Sequence, residues 1–207
     1  MFRVFFLLSI ASLTLFANIN YILSDSGLLD SRAKKKIIEI GNEVRQKLHI
    51  NIYVDLKGNN GIDMNLSRTK RIELIRQKDK EILKNVKGNY IVLVLSLKQM
   101  YANILLPKEL KGIIDKDDIL DGYVIPLLAS NDKNKLGAKA SAAVLNGYAQ
   151  IADSLAEKKG IKLASSIGSQ GKVAGTIWKV FMYSVVLFGI IAYVLIVLRE
   201  RKYKNKG

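Results

Sequence analysis

Hydrophobic and polar positions along the chain repeat with periods that change between strand-like and helix-like several times. Over residues 50–56, apolar and polar side chains alternate one by one, which predicts a half-buried strand. Residues 90–97 form a continuous apolar run rich in branched side chains, which predicts a central strand covered on both faces. Two shorter apolar runs, 19–24 and 101–106, predict a first and a last strand. The connection 98–100 is short enough for a hairpin.

A period of about 3.6 residues marks the helical segments. The predicted helices span about residues 31–48, 67–86, 117–129 and 134–159. Asp30 or Ser31 is expected to cap the first helix. Asp117 or Asp118 is expected to open the third, which Pro126 kinks. The first helix should bury Ala33, Ile37, Ile40, Val44 and Leu48, and the last Leu136, Ala140, Ala143, Val144, Gly147, Tyr148, Ile151 and Leu155.

The order of these elements is β-α-β-α-β-β, followed only by helices. Helical crossovers join parallel strands, whereas a tight hairpin joins antiparallel ones. The sequence therefore predicts an α/β fold in which a mixed sheet of about four strands is sandwiched between helices.

Both ends of the chain carry apolar runs of a different kind. The run after Arg3 predicts a signal peptide over residues 1–17, with an uncleaved anchor as the alternative. Residues 180–198 are uncharged, and as a helix they would extend roughly 28 Å, close to the hydrocarbon core of a bilayer. They predict a transmembrane helix over about 177–198, with a buried core helix as the alternative.

The flanks of this second run predict its orientation. Five Lys and Arg residues stand against one Glu in the tail 199–207, so this tail is expected in the cytoplasm. Residues 18–160 would then form one periplasmic domain, joined by a linker over 161–176 to a single-pass anchor in the inner membrane. Because the chain has no cysteine, this domain contains no disulfides.

The chain is strongly basic, with a formal net charge of +15, and much of this charge lies on the second predicted helix. Its basic side chains form either a solvated face or a contact surface for anionic lipid headgroups or an acidic protein partner. Nucleic acid is not expected as a partner in a periplasmic compartment. The candidate interaction residues are Arg68, Arg71, Arg76, Lys80 and Lys84.

Acidic residues cluster just before the third predicted helix. Calcium requires six to eight oxygen ligands, and the helix-loop-helix calcium motif is absent here. Capping by Asp117 and interaction of Asp118 with the helix dipole account for half of the cluster without an ion. The candidate metal ligands are Asp25, Asp115, Asp117, Asp118 and Asp121. No cofactor is expected, and calcium is the alternative.

Three segments together resemble a known family. Residues 21–30, followed by a helix and the strand 50–54, look like the opening of the TPM domain, and residues 123–128 resemble its closing helices. The resemblance covers about residues 19–157 and implies a secreted α/β domain that is commonly followed by a transmembrane helix. It also implies a role in the assembly, repair or modulation of membrane protein complexes. One plant member is associated with acid phosphatase activity and calcium binding.

The chain departs from the family pattern before the third strand. Residues 86–89 replace the aromatic-Gly-Ile-Gly segment of the family, and only Asp25 and Gly27 are carried over as family positions. A simple turn at these two residues is the alternative.

No complete catalytic motif is present, and the single histidine excludes sites with two histidines. We therefore expect a non-catalytic, membrane-anchored periplasmic interaction module that assists a neighbouring inner-membrane protein complex. The first alternative is a divalent-metal-dependent acid phosphatase or other phosphohydrolase. The second is a basic domain that contacts anionic lipid.

Overall fold

The computed structural model describes residues 19–131 and 133–167, together with 183–184, 187–191 and 193. The predicted signal peptide lies outside the described residues, as do the predicted cytoplasmic tail and most of the predicted anchor. Only the first part of the predicted linker, up to residue 167, is described.

Four strands form one mixed sheet in the order β1-β2-β3-β4. The first three strands are parallel, and β4 runs antiparallel to β3 after a tight hairpin. This confirms the predicted α/β class and the four-stranded mixed sheet. The strands are β1 (Ile22–Ser24), β2 (Asn51–Lys57), β3 (Tyr90–Ser96) and β4 (Tyr101–Leu105).

Two helices, α1 (Ser31–Leu48) and α5 (Leu136–Lys158), cover one face of the sheet. Asp30 caps α1 by accepting a hydrogen bond of 2.8 Å from the backbone N–H of Ala33. The predicted stripe of α1 is buried along its whole length. The predicted stripe of α5 is buried except at Leu136, which is 57% exposed because it starts the helix at the rim of the core.

A third helix, α2 (Arg68–Leu83), covers the opposite face of the sheet. Its N-terminus is capped by Ser67, as the start of the predicted helix indicates. Of its side chains only Ile82 is buried, whereas Ile72 is 39% exposed. This helix therefore packs on the sheet through a narrow contact.

The presence of α2 corrects one prediction about β2. Alternation along β2 predicts a strand with one exposed face, but its five central residues are all buried. Tyr53 packs under α2, and Asp55 on the same face is buried in a polar layer described below. The polar half of the alternating pattern therefore faces a second helix and not solvent.

The two helical crossovers differ in hand. The connections β1-α1-β2 and β2-α2-β3 step across the sheet in the same direction, yet α1 and α2 lie on opposite faces. Two right-handed crossovers would place both helices on one face. One of the two crossovers is therefore left-handed, which is rare for parallel strands.

The predicted helix over 117–129 is three short pieces. These are α3 (Lys116–Ile119), a π-helical turn (Leu120–Val124) and α4 (Ile125–Leu128). The distortion lies before Pro126, in the π-helical turn, and not at the proline itself. Pro126 stands in the first turn of α4, where its missing N–H leaves no helical hydrogen bond unmade.

Within the parts of the chain that the structure describes, no helix is long and apolar enough to cross a membrane. The described residues of the predicted anchor, 183–184, 187–191 and 193, are helical. The transmembrane segment itself stays a prediction.

Glu43 on α1 holds the chain after α5 against the domain. Its carboxylate accepts backbone hydrogen bonds of 2.7 Å from both Ala164 and Ser165, and it forms an ion pair of 2.7 Å with Lys47. Burial alone would raise the pKa of Glu43, but Lys47 and the hydrogen bonds from Ser165 and Ala164 outweigh it and lower this pKa to about 2. The start of the predicted linker is therefore fixed to α1.

We expect the stabilising effect of Glu43 to depend on pH. Because the folded-state pKa is depressed, the contribution is fully present above the unfolded value near 4.5 and is lost as the pH falls towards about 2. Glu43→Gln should lower the free energy of unfolding at pH 7 by on the order of 2 kcal/mol, after allowance for solvent screening. Between pH 4.5 and 2, the free energy of unfolding of Glu43→Gln, measured by urea titration, should fall less steeply with pH than that of the unmodified chain. Equal slopes would contradict this assignment.

Candidate binding groove

An apolar groove lies at the end of the sheet where β2 and β3 finish. The carboxyl ends of parallel strands are the usual position of ligand sites in open α/β sheets. The groove has a volume of about 650 Å³, within the usual range for binding sites. It is lined by Leu28, Gly58, Ser96, Leu97, Lys98, Met100, Tyr101, Ala102, Ile125, Leu128, Ala129 and Leu136.

Gln99 fixes the β3-β4 hairpin that forms one wall of the groove. Its buried side chain accepts hydrogen bonds from Ser96 Oγ at 2.6 Å and from the backbone N–H of Asn60 at 3.1 Å. Its Nε2 donates to Asn59 Oδ1 at 2.8 Å and to the carbonyl of Ile62 at 2.9 Å. The hairpin is thus tied to the loop that follows β2.

Met100, the next residue, points the opposite way. Since Gln99 is held inside, the tight turn leaves Met100 with 87% of its surface exposed. Its φ of 46° lies in the left-handed region, which is uncommon for a residue with a side chain. Such strain persists where the surrounding structure enforces it, and it is concentrated at functional sites. Methionine is also frequent on surfaces that bind apolar partners because its side chain adapts to their shape.

The opposite wall of the groove is built from α4 and the start of α5. Ile125 is 43% exposed there and faces the groove together with Leu136. The π-helical turn before α4 packs tightly on α5, since a Cβ added at Gly147 would lie 2.6 Å from Val124 Cγ2. Turns of this kind are frequent at functional sites.

A buried serine places the third element of the groove. Ser141 on α5 donates a hydrogen bond of 3.1 Å to the carbonyl of Leu28 and accepts one of 2.8 Å from the backbone N–H of Asp30. The loop after β1 is therefore held against α5, with Leu28 in the groove wall. Lys98 in the lining and Lys135 beside Leu136 are both exposed. The groove therefore has an apolar floor and basic residues at its margin.

A second polar cluster lies between α2 and the sheet. Asp79 on α2 accepts hydrogen bonds from Tyr101 Oη at 2.7 Å and from Asn103 Nδ2 at 3.2 Å. Asp55 on β2 lies 3.2 Å from Lys57 Nζ. Burial raises the pKa of Asp55, and the charge of Asp79 raises it further, while Lys57 opposes the shift.

The cavity beside this cluster is small. Its volume of about 10 Å³ is about that of one water-sized probe. Burial, together with the hydrogen bond to Asp79, raises the pKa of Tyr101 far above its usual value, so its hydroxyl acts as a donor. The cluster can stabilise α2 on the sheet, but this cavity cannot hold a phosphate ester.

Asp25, a candidate metal ligand, forms a turn and an ion pair. Its Oδ1 accepts a hydrogen bond of 3.0 Å from the backbone N–H of Gly27, and its Oδ2 lies 2.5 Å from Lys34 Nζ. The interaction with Lys34 is the main cause that lowers its pKa. Gly27 has a φ of 69°, which matches the turn that was the alternative interpretation.

The four other acidic candidates surround the N-terminus of α3. Asp115 is the cap, since its Oδ1 accepts hydrogen bonds of 3.1 Å from the backbone N–H groups of Asp117 and Asp118. The prediction that Asp117 or Asp118 opens the helix was therefore wrong, because both lie in its first turn. Asp121 lies in the π-helical turn. Among the described residues, no group of three or more acidic, histidine or cysteine side chains could hold a metal ion.

This arrangement predicts unequal effects within the acidic cluster. Asp115→Ala should lower the free energy of unfolding by about 1 kcal/mol, because two backbone donors lose their acceptor. Asp121→Ala should change it by less than about 0.5 kcal/mol, since this exposed carboxylate caps nothing. Urea denaturation of the two variants provides the comparison. Equal losses, or a calcium-dependent rise in stability that Asp115→Ala removes, would reject the capping role.

Of the five basic candidates on α2, the structure separates one from the rest. Arg71 is partly buried, and its Nη1 lies 3.8 Å from Met64 Sδ. The remaining four, Arg68, Arg76, Lys80 and Lys84, are all exposed. The candidates therefore do not form a single surface.

The residues that shape the groove were not predicted from the sequence. Residues 98–100 were correctly predicted as a hairpin, but nothing assigned opposite roles to Gln99 and Met100. A large apolar residue at the tip of a tight turn was the available signal, since such positions usually carry Gly, Asn or Asp.

No family model and no curated protein matches this chain, so the TPM resemblance stays a prediction. Several solved structures are similar to part of it, among them the following two. The N-terminal domain of a protein from P. gingivalis, solved by NMR, is 16% identical over 70% of this chain and 87% of that domain, with a TM-score of 0.49. BA42 from the psychrophilic bacterium Bizionia argentinensis is 18% identical over 67% of this chain and 93% of that protein, with a TM-score of 0.40. Neither likeness is strong enough to support an argument about function.

Proposed function

We propose that this chain is a non-catalytic interaction module whose apolar groove binds a segment of a protein partner. The module lies in the periplasm, is anchored in the inner membrane by residues 177–198, and assists assembly or maintenance of a neighbouring membrane protein complex. The observation that carries the proposal is the exposure of Met100 at a strained backbone position beside Ile125 and Leu136. Large apolar side chains grouped at the surface indicate a contact with another molecule.

The charge of the margin specifies the occupant. Lys98 and Lys135 border the groove, and the whole chain carries a net charge of +15. Complementary charge steers association and excludes wrong partners. The occupant is therefore an apolar segment of the partner that is flanked by acidic residues.

The alternative of a metal-dependent phosphohydrolase has less support. An enzyme of this type needs carboxylates that converge on a cavity able to admit the substrate. Asp55 and Asp79 do line one cavity, but its volume is only about 10 Å³. The groove is large enough, yet among the described residues no carboxylate lines it.

Photocrosslinking within cells tests the groove. The full chain, with a benzophenone amino acid in place of Met100, should form one discrete crosslinked product after illumination. The same probe in place of Lys158, which is exposed at the end of α5, is the matched control and should not form it.

A second substitution shows whether the groove itself is responsible. Adding Leu136→Asp should reduce the crosslinked product at least tenfold, because it places a charge in the apolar contact. Leu136 is half exposed, so the fold should tolerate this change, and a melting curve of the variant checks it. A product that persists with Leu136→Asp, or that also forms from position 158, would reject the groove as the binding site.

A further inference from the structure

The exposed residues of α2 include a basic ridge on a helix that covers the face of the sheet opposite the larger core. Residues four apart on a helix lie along one ridge, and here this ridge consists of Arg68, Ile72, Arg76, Lys80 and Lys84. All five side chains are exposed. At 1.5 Å per residue the ridge is about 24 Å long.

The carboxylates of α2 are engaged elsewhere. Glu73 lies 3.3 Å from Lys70 Nζ, and Glu81 lies 3.6 Å from Lys78 Nζ. Asp79 points inward and accepts the hydrogen bond of Tyr101. The negative charges of this helix are thus paired with groups off the ridge.

The cations of the ridge lack such partners. Within the described part of the chain, none of Arg68, Arg76, Lys80 and Lys84 forms an ion pair. Ile72 adds an exposed apolar side chain between the first two cations. A row of unpaired cations with aliphatic stems and one apolar residue suits an interface between water and lipid headgroups.

We infer that this ridge rests on the anionic surface of a membrane. Because residues four apart on a helix are offset by about 40°, the ridge winds around α2, and its middle residues Ile72, Arg76 and Lys80 are the ones that can meet a flat layer of headgroups together. Each Lys or Arg near such a surface strengthens binding about fivefold. The predicted anchor would keep the ridge close to the bilayer, so that modest attraction is sufficient. This contact is separate from the proposed binding of a partner in the groove, because α2 covers the other face of the sheet and leaves the groove accessible.

The absence of native cysteine allows a direct test on the full chain. Ile72→Cys is labelled with a polarity-sensitive fluorophore, and the chain is reconstituted in vesicles of phosphatidylcholine alone or with 30% phosphatidylglycerol. We expect a blue shift of the emission only with the anionic lipid, and its loss in about 0.5 M salt, where screening shortens the reach of the charges. A label at Met100→Cys should not shift.

Two pairs of substitutions provide the matched comparison. Arg76→Gln with Lys80→Gln removes two ridge cations and should lower the ratio of docked to free label about 25-fold. Lys70→Gln with Lys78→Gln changes the net charge equally but removes ion-paired residues, and it should lower this ratio less than about threefold. Equal effects of both pairs would show that docking depends only on the net charge of the chain, and they would reject the ridge as the contact surface.

The comparison of the two vesicle compositions needs no charge substitution, so it tests the inference even if a variant fails to fold. Emission that is the same in both lipids would overturn the inference. A blue shift that appears only after an acidic protein is added would assign the ridge to a protein partner instead.

Discussion

Replacing Gln99 with leucine is expected to lower the free energy of unfolding by about 3 kcal/mol. Leucine keeps most of the volume but leaves Ser96 Oγ, the N–H of Asn60 and the carbonyl of Ile62 without their partner. Each buried polar group that loses its hydrogen bond costs about 1–3 kcal/mol, although part of this loop can recruit water. Urea denaturation of the full chain in mild detergent measures the change.

The adjacent residue provides the control for Gln99. Met100→Ala should change the free energy of unfolding by less than about 0.5 kcal/mol, because its side chain makes few contacts within the fold. The same variant should nevertheless weaken partner binding. If Met100→Ala were as destabilising as Gln99→Leu, the hairpin would be fixed by Met100, and the exposure of Met100 would not indicate a binding role.

Gly41→Ala is expected to destabilise the fold by about 3 kcal/mol. A Cβ at this position would lie 2.5 Å from Tyr148 Oη and 2.9 Å from the ring of Tyr21. Tyr148 cannot move away without losing its buried hydrogen bond of 2.9 Å to the carbonyl of Ile52. Overpacking and this hydrogen bond together outweigh the gain of about 1 kcal/mol in helix propensity from glycine to alanine.

A double-mutant cycle isolates the contact between Gly41 and Tyr148. Tyr148→Phe removes the atom nearest to the new methyl group, so the double variant should be about 1 kcal/mol more stable than the sum of the single effects predicts. Gly122→Ala serves as the control, since a Cβ there has no neighbour within 4 Å. Additive effects of Gly41→Ala and Tyr148→Phe would show that α1 shifts as a whole instead of clashing with the hydroxyl.

Much of the fold could be predicted because each strong pattern has one physical solution. The apolar run of β3 must be covered on both faces, and the stripe of α1 must be buried against the sheet. The element order then leaves few topologies. The helix α1 ends at Leu48, close to the predicted end, and its cap is Asp30, one of the two predicted candidates.

The face covered by α2 could not be predicted in the same way. Its pattern combines scattered isoleucines with many charges, and only the structure shows that Ile82 is buried while Ile72 is exposed. The position of α2 depends on the hydrogen bonds of Asp79 with Tyr101 and Asn103. These pairs are 22 and 24 residues apart, and no local spacing reveals them.

The groove was hidden from the sequence for a similar reason. Its walls come from the loop after β1, the β3-β4 hairpin and α4, which are far apart along the chain. In the sequence, Gln99 cannot be distinguished from an ordinary turn residue, and only the structure shows its four hydrogen bonds. The acidic cluster, by contrast, was conspicuous in the sequence, yet Asp115 serves as a helix cap.

The unequal covering of the two sheet faces means that this domain can open in stages. The side with α1 and α5 holds the larger core, whereas among the described residues the side with α2 holds four buried apolar residues, Tyr53, Ile82, Val92 and Val94. Because opening requires little apolar area to be exposed, detachment of α2 should be the cheapest subglobal unfolding event. It would uncover a strip of the central strands, a surface prone to aggregation. A membrane that holds α2 in place would then keep this strip covered and protect the protein from aggregation.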